Sequence, residues 1–246
     1  MTTPTATSAA AGACAPVSLR AWPFPAGSSA RIAYGAERVP ADARALTHLP
    51  SVLVAPGRML RLNSEAFEMP LPAPGQPVLT IEQRLADHLR QLSGGWNGSA
   101  ARFIDGYMAH LRAVIAANRP GITERLRPLA GLFAPEDVLF SAPLPLPRAL
   151  LPLADDDGAV PCPVDMLLWL GDAAQSVLFT PSTLTPGAER RRRERLTAAG
   201  IGLCVMGPAD LVRPAAFADL LGEGGRTFWR DEILPVAPGA PRLPDF

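Results

Sequence analysis

The sequence predicts an α/β (α+β) fold, a mixed β-sheet with flanking helices, and three observations carry that prediction. Between Pro161 and Leu211, apolar runs alternate with turn and cap signals in the order strand, turn, strand, loop, helix, strand. Upstream, Ile81, Leu85, Leu89 and Leu92, and then Phe103, Tyr107, Leu111, Val114 and Ile115, recur at helical spacing. The chain has 246 residues, 48% of them hydrophobic, with a formal net charge of +0, which supports a sizeable core and excludes disorder throughout.

Taken in order, residues 1–16 are Thr, Ala, Ser and Pro with little to bury, and read as a disordered tail. Residues 17–77 are broken by prolines, and the pieces Arg31 to Tyr34, Val52 to Ala55 and Met59 to Leu62 read as short strands. Met69 to Pro77, MPLPAPGQP, can continue neither helix nor ladder and reads as a connection. Residues 78–135 form a helical region. Thr80 with Gln83 three positions on makes a capping box, and Gly94-Gly95 ends the helix. Ser99 reads as the cap of a second helix running to Asn118 and stopped by Pro120-Gly121, and Ile122 to Leu132 reads as a third, interrupted at Pro128.

Residues 136–224 read as the α/β core. Val138 to Phe140 is expected as a strand and Ala142 to Pro147 as a proline-extended segment. Asp155-Asp156-Asp157-Gly158 reads as a solvated hairpin tip, because three adjacent carboxylates without further ligands at loop spacing make no calcium loop. Val164 to Leu170 and Gln175 to Phe179 form a hairpin turned at Gly171-Asp172. Thr185-Pro186 opens a helix over Ala188 to Ala199, Gly200 closes it, and Ile201 to Met206 is a strand. Pro214 to Leu221 reads as a short helix ended by Gly222 to Gly225. In the C-terminal tail, residues 225–246, Phe228 and Trp229 are expected to pack onto the domain.

Composition narrows the chemistry. All 23 basic residues are arginine, a usage that points to a GC-rich bacterial coding sequence and closes any mechanism needing a lysine amine, whether a Schiff base, a phosphate-loop lysine or a metal-site lysine. No apolar run approaches the roughly 20 residues of a membrane helix, and no basic residue precedes Arg20, so neither a membrane span nor a signal peptide is expected and the expected location is the cytoplasm. Cys14, Cys162 and Cys204 have no CxxC spacing and point to no disulfide framework or zinc site. GxSxG, HExxH, phosphate-loop and GxGxxG motifs are absent. The scattered Trp22, Phe24, Trp96 and Trp169 read as core residues, not as a stacking platform.

Val164-Asp165-Met166-Leu167-Leu168-Trp169-Leu170, then Arg190 to Arg195, Ala198-Ala199-Gly200, Leu203 to Met206 and Ala209-Asp210-Leu211 follow one another in a distinctive order. In this, about a third of the chain resembles the PD-(D/E)XK nuclease fold, in the branch similar to very-short-patch-repair endonucleases. The resemblance implies a restriction-endonuclease-like core and Mg²⁺-dependent phosphodiester hydrolysis, with Asp165 as the first acid. It also implies an acid-x-Lys on the next strand, which here reads Ser176-Val177-Leu178-Phe179-Thr180-Pro181-Ser182 and has neither. A hydroxyl such as that of Thr180 does not replace an anionic Mg²⁺ ligand. The expectation is therefore a catalytically inactive nuclease-like domain serving as a binding or scaffolding module, with no cofactor.

Two alternatives stand beside it: an active Mg²⁺-dependent DNA endonuclease whose second acid has moved to Glu82, Glu65, Glu189 or Glu194, and a protein-interaction module unrelated to nucleic acid. Asp165 reads equally as a strand-end acid bonded to backbone or arginine. Arg190, Arg191, Arg192, Arg193 and Arg195 are the candidate phosphate-binding residues, with guanidinium forks matched to phosphate oxygens. The same run reads as a solvated, partly ion-paired face, and the balanced overall charge argues against strong nucleic-acid affinity. The sequence leaves the partner unknown, with nucleic acid as the candidate.

Overall fold

The computed structural model describes residues 29–38, 48–65, 67, 69–70, 79–155 and 158–230. The expected N-terminal tail, most of the Met69 to Pro77 connection, the middle of the acidic tip, Trp22, Phe24 and the chain after Arg230 lie outside the described residues.

Six strands form one mixed sheet: β1 (Ala30–Ala33), β2 (Ser51–Val54), β3 (Pro145–Asp155), β4 (Gly158–Trp169), β5 (Ala174–Phe179) and β6 (Gly202–Met206), in the order β2-β1-β3-β4-β5-β6. Every neighbouring pair is antiparallel except β5 and β6, which run parallel. A parallel pair needs a crossover, and the helix α4 (Pro186–Ala198) supplies it. The remaining helices are α1 (Ile81–Leu92), α2 (Ser99–Ala117), α3 (Arg119–Leu126) and α5 (Pro214–Arg226). No described helix is long and apolar enough to cross a membrane.

Local signals set most of these bounds. The Thr80 hydroxyl accepts from Gln83 N–H at 3.1 Å, and Gln83 Oε1 accepts from Thr80 N–H at 2.9 Å, which closes the capping box of α1. Gly98, not Ser99, is the cap of α2. At α4, the Thr185 oxygen accepts from Ala188 N–H at 3.4 Å and Pro186 occupies the first turn. Gly222, at φ 60 and ψ −166, interrupts α5 where the glycine run was expected to end it.

One buried cluster runs from Ala30 to Phe228 and joins the N-terminal strands, the helices and the sheet. Phe103 of α2 packs its ring 5.8 Å from Phe179 of β5 and 5.4 Å from Phe217 of α5. The approach of α2 to the α5 side depends on Gly106, where a Cβ would stand 2.5 Å from the Leu211 carbonyl oxygen. Trp169 is fully buried, and its indole N–H donates to the carbonyls of Arg58 at 2.8 Å and Ala55 at 3.2 Å, fastening that turn across the end of β4. Phe228 is buried as expected of the C-terminal aromatics.

Four expectations are corrected. Val138 to Phe140 lies in a 3₁₀ turn, Pro135–Ser141, because Pro135 opens it and the Asp137 carboxylate accepts from Ala134 N–H at 2.7 Å. The strand instead begins at Pro145 and continues through Pro147 and Pro152 to Asp155. At Pro147 this is tolerated because its carbonyl accepts from Gly35 N–H at 2.9 Å, so its missing donor also faces the β1 side, where β1 is short. Met59 to Leu62 makes no strand; its backbone bonds go to Trp169 and to residues 142–144, with a single bridge between Arg61 and Pro143. The third helix starts at Arg119, ahead of Pro120-Gly121, since proline is at home in a first helical turn. Cys162 is a free buried thiol, whereas Cys204 is disulfide-bonded.

Candidate functional site

Asp165 lies on β4, and its Oδ2 accepts the backbone N–H of Phe179 at 2.8 Å, just where β5 ends. The peptide bond after Thr180 is cis, and the chain leaves the sheet there to enter α4. Glu189 and Arg192 sit in α4 three residues apart, on the helix side that also carries buried Leu196. Arg192 Nη2 donates to Glu189 Oε2, Arg193 Nε to Glu189 Oε1 at 2.9 Å, and the Ser182 hydroxyl to Glu189 Oε2 at 3.1 Å. Both oxygens of Glu189 are therefore engaged by the protein. The side chains of Arg192 and Glu189 are 8% and 13% exposed, so this is a nearly buried ion pair, and the Arg192 Nε has no hydrogen-bond partner.

The charges act on one another across this cluster. Burial pushes the Asp165 carboxyl above its ordinary range; the Phe179 N–H and the Arg192 charge pull it back, Glu189 pushes it further up, and Arg148 pulls it down. Burial also works to raise Glu189, but the hydrogen bond from Arg193, the Arg192 charge and the Ser182 hydroxyl outweigh it, and Glu189 titrates below its ordinary value. Burial raises the Cys162 thiol against the pull of Arg195 and Arg192.

Arg148 is the member of this cluster that the sequence did not single out. The β3–β4 register pairs Pro147 with Met166 and Ala149 with Val164, which sets Arg148 opposite Asp165. Arg148 has φ 46, and it is the one non-glycine residue with positive φ among the described residues. A left-handed arginine costs about 1–3 kcal/mol of backbone strain. Its guanidinium bends onto Gly94 after α1, where an added Cβ would fall 1.8 Å from Nη2. No hydrogen bond or ion pair of Arg148 forms with the described residues.

The other candidates are dispersed. Arg190 and Arg191 are exposed on the outer side of α4, with Arg190 Nε 3.9 Å from Glu194. Arg195 is half-buried and partnered. Glu82 accepts from Arg112 Nε at 2.7 Å, between α1 and α2, and Glu65 is exposed ahead of the helices. Of the acids proposed as a relocated partner, Glu189 is the one that acts on Asp165. Trp96 is 56% exposed between α1 and α2, which corrects its reading as a core residue.

The donor set does not fit a hard divalent cation. Asp165 and Glu189 are two carboxylates, but a guanidinium is bonded to one and acts on the other, and β5 contributes no acid. Among the described residues, no three His, Cys, Asp or Glu side chains gather in ligating geometry. No protein-family model, curated protein or solved structure matches the chain.

Proposed function

We propose that the protein is a catalytically silent, nuclease-like binding module whose partner is nucleic acid. The reading rests on the residues that carry the resemblance, which lie in order along the β4–β5 hairpin, the crossover α4 and the parallel β6, with Asp165 on β4. The observation that carries the silent half of the proposal is Arg192. Its buried guanidinium supplies the positive charge that a metal ion would otherwise bring to Asp165 and Glu189. On the outer side of the same helix, Arg190 and Arg191 offer solvent-facing forks to phosphate oxygens.

One observation favours an active endonuclease with a relocated acid, the charge of Glu189 acting on Asp165. Against it stand the three donors already on Glu189. Nuclease and binding assays on the full chain separate the readings. The proposal expects uncut DNA in Mg²⁺ or Mn²⁺, and a DNA affinity that falls with salt and falls again when Arg190 and Arg191 are replaced by glutamine. An affinity indifferent to both changes would sink the nucleic-acid assignment.

A further inference from the structure

We infer that α4 is a detachable lid: the helix leaves the sheet in a local opening that keeps β3, β4 and β5 paired, and so uncovers Asp165 and the Cys162 thiol. This opening goes beyond the binding-module reading and does not depend on which partner the protein takes. It starts from how little holds the helix down. Of the 13 residues of α4, Arg192 and Leu196 alone are buried, with Ala199 partly buried just past its end, whereas α2 buries eight of its 19 residues. A helix of this length is marginal in water and depends on a packed apolar face, and here that face is one leucine beside an arginine.

The polar contacts of α4 are mostly made within the helix and the segment that enters it. Glu189 accepts from Arg192, from Arg193 at 2.9 Å and from the Ser182 hydroxyl at 3.1 Å, while Arg190 stands 3.9 Å from Glu194. Ser182 in turn accepts from Leu184 N–H at 3.1 Å. All of these partners lie within residues 182–198, so they travel with the helix and do not tie it to the sheet. Toward the rest of the protein α4 offers the Leu196 side chain, Arg195, which is partnered, and the charge of Arg192, which acts on Asp165 and on Cys162. Docking also leaves Arg192 Nε buried without a hydrogen-bond partner, a cost that water removes once the helix lifts. Few buried apolar contacts mark a segment that opens below the free energy of global unfolding. Cys162 is 1% exposed and belongs to the same buried cluster as Leu196, which makes its thiol a reporter of that opening.

The test is native-state exchange on the full chain in rising, sub-denaturing urea. Backbone hydrogen exchange and iodoacetamide labelling of Cys162 are both read by mass spectrometry of the peptides. The variants are Leu196→Ala and Ile32→Val, the latter a fully buried residue of β1, two strands removed from β4. In the parent, the α4 amides and Cys162 are expected to react ahead of the β3–β4 amides and with a weaker dependence on urea, since a local opening exposes less surface. Leu196→Ala should speed α4 exchange and Cys162 labelling at least about thirtyfold, with the β3–β4 amides still the slowest. Ile32→Val should speed β3–β4 exchange about fivefold and leave α4 and Cys162 at the parent's rates, because the opened state keeps β1 in place.

If α4 and Cys162 react no faster than the β3–β4 amides, with the same steep urea dependence, and Ile32→Val speeds all of them alike, α4 is a fixed part of the sheet and the lid is wrong. If α4 exchanges early while Cys162 labels only together with the β3–β4 amides, the helix frays without uncovering the site, and the inference falls as well.

Discussion

On the inner side of α4, Arg192 is buried and bonded to Glu189, whereas on the outer side Arg190 and Arg191 stand in solvent. These residues are neighbours in one run of four arginines, and their chemistry is the same. Position on the helix separates them: Glu189, Arg192, Arg193 and Leu196 fall at the spacing of one face, and Arg190, Arg191 and Glu194 fall elsewhere. The inner arginine is fixed by a carboxylate and holds the strand-end cluster together. Of the outer pair, Arg190 stands 3.9 Å from Glu194 across an exposed surface, and Arg191 makes no ion pair with the described residues.

The largest expected effect comes from breaking the inner half. Glu189→Ala strands the Arg192 charge in a nearly buried position and should cost about 3–5 kcal/mol of stability, read by chemical denaturation. Replacing both partners together, Glu189→Met with Arg192→Leu, should recover most of that loss, because two apolar side chains leave no unpaired charge. A double variant as unstable as Glu189→Ala would show that packing, not charge, sets the cost. Next in size is the cap that starts α4: Thr185→Ala should cost about 1 kcal/mol.

A pH series sharpens the contrast from the Asp165 side. Because burial holds its carboxyl above the unfolded value, the folded state keeps this proton longer than the unfolded chain does. Its contribution to stability is full at low pH and declines as pH rises from the unfolded value through the raised folded one. Glu189, held below its ordinary value, behaves oppositely and loses its contribution as pH falls through its folded value. Asp165→Asn should therefore remove the first trend and leave the second, and should not lower the melting temperature at neutral pH. A fall at neutral pH would mean that the ionised carboxylate stabilises the fold. The smallest effect on stability belongs to the outer half, where Arg190→Gln with Arg191→Gln should shift it by no more than about 0.5 kcal/mol while weakening DNA binding.

The clear part of the sequence was the stretch in which local chemistry dictates geometry. Gly171 turns the β4–β5 hairpin, Thr185 and Pro186 start α4, Gly200 follows its end, and strand, helix and strand fall close to the expected positions. The β3 strand was hidden because Pro145, Pro147 and Pro152 signal a broken ladder unless the neighbouring strand is known to be short. The 3₁₀ turn over Pro135–Ser141 did carry a signal, proline followed by two acids, which its apolar residues Val138 to Phe140 masked. At the site, Asp165 and Glu189 were legible as acids, and the action of Glu189 on Asp165 was one of several pairings the sequence allowed. Arg148 had no signal at all. Its role depends on a register opposite Asp165 and on a glycine more than fifty positions earlier, and no periodicity links the two.

Under the proposed function, the Arg192 guanidinium stands beside Asp165 and Glu189 in place of a metal ion. The most direct test of this is the integrity of supercoiled plasmid incubated with the full chain in Mg²⁺ or Mn²⁺, beside Asp165→Ala. Intact plasmid is expected with both proteins. Metal-dependent cleavage by the parent that disappears in Asp165→Ala would contradict it.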